Sequence, residues 1–178
     1  MNIGLILNIV LALCLLGGGT WYFTRPATAE QVATPIAVSA PKEQPKYTKL
    51  DGATIENLVN TKRSENGLGT LAVSETLRQS ACLKLEHMRL NNYWAHNAPD
   101  GTTPWHFFDL AGYTGSLKGE NLAYDFRSEQ DTVTAWMDSQ GHKDVIFGDY
   151  NEHGVCTYVG PYQGKDTHLV VHHFGLNY

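Results

Sequence analysis

Positive charge is scarce in this chain. Lys and Arg number 13 against 18 Asp and Glu, the net charge is -5, and no basic cluster occurs. Such a surface does not steer toward phosphate backbones, so no nucleic-acid partner is expected. Two catalytic signatures are missing as well: there is no His-Glu-x-x-His and no Gly-x-Ser-x-Gly elbow, which removes the motif-based routes to a zincin or an α/β-hydrolase. There are no internal repeats, so the chain is not a repeat array. Cysteine is limited to three residues, Cys14, Cys82 and Cys156. Histidine, by contrast, is well supplied, with eight residues in a chain of 178.

The N-terminal stretch is defined by what it excludes. From Ile3 to Phe23 there is no Asp, Glu, Lys, Arg or His, and a bilayer core needs about 20 apolar residues in a helix. The Gly17-Gly18-Gly19 break and the Trp21-Tyr22 pair resemble an interfacial end, where aromatic rings settle. Residues 1–24 are therefore expected to be a membrane anchor. A cleavable signal segment is the rival, because Ala27-Thr28-Ala29 has the small-x-small pattern. Against cleavage, no Lys or Arg precedes the run, and the site lies well beyond the apolar core. Arg25 just past the run favours a cytoplasmic C-terminus. That conflicts with the cysteine usage and with the resemblance below, both of which place the domain outside the cytoplasm.

Residues 25–50 are rich in Pro, Ala, Thr, Gln and Lys. This composition cannot bury enough surface to offset ordering entropy and reads as a flexible linker. The domain is expected over 51–178. Ile55, Leu58 and Val59 repeat at helical spacing up to a stop at Gly67. Ser74 is a candidate N-cap, followed by an apolar stripe of Leu77, Ala81, Cys82, Leu85 and Met88 that turns Cys82 to the core. Pro99-Asp100-Gly101 is a turn. Thr103-Pro104 opens a short helix to Ala111. Ser128 and Asp131 make a capping-box-like start to a helix through Trp136 that ends before Gly141. The runs 154–159 and 168–174 are β-rich and apolar on nearly every residue, as in a sheet covered on both faces, with a hairpin-like connection at 160–166. Helices first and strands last predict a small antiparallel sheet between helices. Cys82 and Cys156 are either a disulfide pair of an exported domain or two separate buried thiols.

Four motifs follow in order: Tyr93-Trp94-Ala95-His96, Gly119-Glu120-Asn121-Leu122-Ala123, Trp136-Met137-Asp138-Ser139-Gln140-Gly141-His142, and Gly154-Val155-Cys156. Together they resemble the CAP superfamily, the cysteine-rich secretory, antigen 5 and pathogenesis-related proteins, in its bacterial SCP-like branch. The resemblance runs from about Ile55 to Phe174. It implies an α+β fold, a three-layer α-β-α sandwich with a small antiparallel sheet and a central cleft. In many members two histidines and two glutamates line that cleft, and some of those bind zinc or another divalent ion. His96, Glu120 and His142 match three of the four positions. The fourth is a departure: Met137-Asp138-Ser139 stands where a glutamate is usual, so Glu152 is the candidate replacement and Asp138 the lesser one.

Two neutral imidazoles and a carboxylate suit Zn or another divalent cation with a position left for water, and His96, His142 and Glu120 are the expected ligands. Alternatively, Glu120 orients a histidine through its ring N–H. The competing bland readings are a stacked core His96, a backbone-capping Glu120, and a His142 that caps a helix C-terminus. His87, His106, His153, His168, His172 and His173 read as solvated or packing residues. His172 and His173, adjacent on a strand, are expected on opposite sheet faces. Trp94, Trp105 and Trp136 read as core. The expected function is an extracytoplasmic, membrane-tethered or secreted binding module for an envelope ligand or protein. The alternative is a metal-dependent hydrolase acting on peptide or cell-wall material.

Overall fold

The computed structural model describes residues 47–178. The expected anchor or signal at 1–24, and the linker as far as residue 46, lie outside the described residues. Among the described residues no helix is long and apolar enough to cross a membrane. The domain begins slightly earlier than expected. Leu50 is buried, its carbonyl accepts from Thr157 Oγ1 at 2.7 Å, and the Thr48 carbonyl lies 2.8 Å from His168 Nε2.

The elements are α1 (Gly52–Glu65), β1 (Ala72–Val73), α2 (Glu75–Leu90), α3 (Trp105–Leu110), β2 (Leu117–Tyr124), α4 (Glu129–Asp138), α5 (Gln140–Ile146), β3 (Glu152–Tyr162) and β4 (Lys165–Leu176). Their ends follow local chemistry. Asp51 caps α1 by accepting from the Ala53 and Thr54 amides at 3.3 and 3.1 Å. At its other end, Gly67 at φ 73° closes a Schellman turn, with Leu68 N donating to Arg63 O and Gly67 N to Ser64 O. Ser128 caps α4 through the Asp131 amide at 3.0 Å. Ser74 precedes α2 without a side-chain capping bond. The β3–β4 hairpin turns on Gln163 and Gly164, at φ 48° and 83°; positive φ at both positions suits a two-residue turn that matches strand twist.

The sheet order is β1-β3-β4-β2, with β3–β4 and β4–β2 antiparallel and the two-residue β1 parallel to β3. Helices α1, α4 and α5 cover one face through Ile55, Val59, Trp136 and Ile146. Helix α2 covers the other through Ala81, Leu85 and Met88, with α3 beside it, where Phe108 packs on Leu77. This is the expected α-β-α sandwich. The strands-last order is corrected: β2 sits between α3 and α4 in the chain and forms one edge of the sheet. An apolar pattern interrupted by Glu120 and Asn121 hid that strand.

Cys82 and Cys156 are joined in a disulfide between α2 and β3, Cα atoms 5.0 Å apart. The reason expected for this pairing needs correction. Cys82 is exposed, because the buried stripe of α2 runs through Leu77, Ser80, Ala81, Lys84, Leu85 and Met88. Two polar residues, both fully buried, take the places where apolar ones were sought. The helix lies so close to β3 that a Cβ on Gly154 would come within 2.2 Å of Arg78 N.

Candidate functional site

Successive residues on a strand face opposite sides, and on β2 this divides Glu120 from Asn121. Glu120 faces the α2 layer and is only 6% exposed. A lone buried carboxylate would be costly; here both oxygens have partners. Oε1 lies 2.6 Å from His96 Nδ1 and Oε2 lies 3.0 Å from His173 Nε2. An ionised carboxylate only accepts, so both imidazoles donate to it. His173 Nδ1 is then left to accept from the Ser80 hydroxyl, 2.8 Å away. Phe108 stacks on the His173 ring at 4.2 Å between centroids. Burial pushes the Glu120 carboxyl up, but the bonds to His173 and His96 and the Lys84 charge outweigh it and hold its pKa below the usual value. Burial lowers the pKa of His173, with Glu120 opposing.

The Ser80–His173–Glu120 sequence has the order of a nucleophile, a base and an orienting acid. Ser80 and His173 are both 0% exposed, so no substrate reaches the hydroxyl. The arrangement is an orienting chain that ends in the His96 imidazole, whose side chain is 56% exposed. With Nδ1–H donated to Glu120, Nε2 is the ring nitrogen left over for a ligand.

Lys84 holds the loop that carries His96. Its ammonium is buried and donates to the carbonyls of Ala95 and His96 at 2.9 and 2.5 Å and to the Tyr93 hydroxyl at 3.2 Å. Burial lowers the Lys84 pKa, while the Glu120 charge pulls the other way. The Pro99-Asp100-Gly101 turn closes the same loop, with Ala98 N donating to Thr102 O and Gly101 at φ 89°.

His142 arrives from the opposite layer. It lies in the first turn of α5, not at a helix C-terminus as the capping reading had it, and Asn121 Nδ2 donates to its carbonyl at 3.0 Å. Burial, then the neighbouring His96 charge, lower its pKa, and its Nδ1 is buried with no hydrogen-bond partner. The edge of β2 thus gathers His96 from one layer and His142 from the other, with Glu120 between the layers.

Glu152 is placed elsewhere. It pairs with Gly175 across β3–β4 and stands beside the Tyr113 hydroxyl, whose pKa is raised by burial and then by Glu152. Asp138 is exposed at the end of α4. The expected trio of metal ligands also needs revision. Among the described residues, no group of three or more His, Cys, Asp and Glu is arranged to hold a metal ion, and both Glu120 oxygens are engaged by imidazoles. Ser80, Lys84 and His173 escaped the sequence reading. The one available signal was that His173 falls opposite Glu120 when β2 and β4 are paired. Of the tryptophans, Trp136 is core and donates Nε1–H to Leu122 O at 2.9 Å, whereas Trp105 is 41% exposed.

The model of the cysteine-rich secretory protein family, CAP, matches residues 56–178. The protein YkwD of Bacillus subtilis is 34% identical over 131 residues, covering 73% of this chain and 49% of that protein. The chain therefore spans about half the length of that relative. Two solved structures share the fold. An extracellular protein containing an SCP domain from Bacillus anthracis has a TM-score of 0.61 at 24% identity, over 71% of this chain and 40% of that one. An outer surface protein from Borrelia burgdorferi has a TM-score of 0.61 at 23% identity, over 74% of this chain and 99% of that one.

Proposed function

The chain belongs to the cysteine-rich secretory protein (CAP) family, and on that premise we propose that it works outside the cytoplasm as a binding module whose cleft takes an envelope ligand between His96 and His142. Location is supported by two similar proteins, one described as extracellular and one as an outer surface protein, and by a disulfide that suits an oxidising compartment. The observation that carries the reading is the buried Ser80–His173–Glu120 chain, which fixes one exposed imidazole, beside a second imidazole whose buried Nδ1 has no partner.

The two imidazoles would supply part of a site for a divalent ion such as zinc, with the remaining positions falling to the envelope ligand and water. His96 and His142 would hold the ion, and Glu120 would set the His96 tautomer and raise its basicity. Once bound, the ion would supply Lewis acidity toward a ligand oxygen. Binding is preferred over hydrolysis because Glu152, the second acid that proton transfer would draw on, stands beside Tyr113.

The test is calorimetric titration of the metal-free full chain with zinc. One ion per chain is expected, with affinity lost in His96→Ala and in His142→Ala and kept in His106→Ala, whose residue is exposed on α3. Unchanged affinity in His96→Ala, or no binding by the wild type, removes the ion from the reading.

A further inference from the structure

The disulfide lies at the surface rather than in the core. Cys82 is exposed and Cys156 half-buried, and both line an open groove of about 480 Å³ whose wall also includes Lys49, Asp51 and Arg78. Arg78 is engaged by Glu56 and Glu75, which leaves Lys49 as the less encumbered cation there. Exposed disulfides are the labile ones, because an attacking thiolate must approach the sulfur in line with the bond it breaks. Cys156 packs against the cluster around Leu85 and Leu169, so Cys82 is the open side. Helix α2, which this bond ties to β3, also carries Ser80 and Lys84, the residues that hold His173 and the His96 loop.

We propose that Cys82–Cys156 is a thiol–disulfide exchange site for a dithiol oxidoreductase, and that its redox state sets how firmly α2 holds the His96 side of the cleft. In the first step a partner thiolate attacks Cys82 Sγ. The Cys82–Cys156 bond breaks, and its electron pair leaves on Cys156 as a thiolate. The partner's second thiol then displaces Cys82 from the mixed disulfide. Two electrons and two protons have then passed to this chain, which holds two thiols, and the partner holds a disulfide. The exchange does not depend on what the cleft binds.

The experiment uses the full chain carrying Cys14→Ser, so that Cys82 and Cys156 are its only sulfhydryl candidates. The probe is a Cys-x-x-Cys oxidoreductase whose second cysteine is serine, so that the mixed disulfide accumulates. Under native conditions peptide mapping should find the adduct on Cys82 in roughly tenfold excess over Cys156. The reduced chain should keep its native circular dichroism, exchange α2 amides about tenfold faster, and show shifted NMR signals for the His96 ring. An adduct that forms only in denaturant, or on Cys156, overturns the exchange site. Unfolding on reduction would make the bond a structural staple, and unaltered α2 exchange and His96 signals would sever the link to the cleft; either result overturns the switch.

Discussion

His172 and His173 are neighbours in sequence and both fully buried, yet they live in opposite chemistry. His173 faces α2 and stands between a hydroxyl and a carboxylate, with both ring nitrogens engaged. His172 faces α4, where it contacts His153 Nδ1 at 3.1 Å and lies beside Trp136 and Phe174. On that side His172 Nδ1 and His153 Nε2 have no hydrogen-bond partner. The α2 face uses burial to orient polar groups toward an opening. The α4 face uses it to keep two imidazoles neutral. Strand alternation alone produces the division, and three experiments probe it.

The largest effect is expected at Glu120. Glu120→Ala leaves His173 and His96 without their acceptor and the buried Lys84 ammonium without its balancing charge, at about 3–5 kcal/mol. Urea unfolding measures it, and a loss under about 1 kcal/mol would mean the chain of groups around His173 does not stabilise that face.

Acid should act on the other face first. Burial pushes His153 down to about 4 from 6.5 and His172 well below 6.5, so the folded state holds both neutral. The unfolded chain takes up protons below about pH 6.5 before the folded one does. Stability therefore falls as pH drops from 6.5 toward 4, by about 3 kcal/mol for His153. Stability curves of the wild type and of His153→Leu with His172→Phe should diverge between pH 6.5 and 4.5, above the range where Glu120 protonates. Parallel curves would place the acid sensitivity elsewhere.

The smallest effect sharpens the α2 side. Lys84→Met keeps the volume but removes the donors to Ala95, His96 and Tyr93, costing about 1–2 kcal/mol. Amide exchange should quicken in the 93–98 loop and stay unchanged in α1. Equal quickening in both would show that Lys84 supports the whole domain rather than the His96 loop.

Much of this was legible beforehand. Gly67, Ser128 and the 160–166 connection are local signals, and each marks an end or turn in the structure. The pairing of Cys82 with Cys156 was one of two open readings, and the structure supports it for a different reason from the one expected. Helix α5 was invisible because Gly141 and His142 read as a stop, whereas they form its first turn. Strand β2 was hidden because Glu120 and Asn121 are polar residues buried on opposite faces.

Unaided, the order of residues determined where helices start and stop, which family motifs stand in line, and that His172 and His173 part across a sheet, since these rest on spacing and on bonds within a few residues. Only the assembled layers decided that Glu120 orients His96, that Ser80 and Lys84 belong to the site, and that Glu152 goes to Tyr113. Those outcomes depend on which groups burial brings within hydrogen-bond reach across strands and helices far apart in the chain.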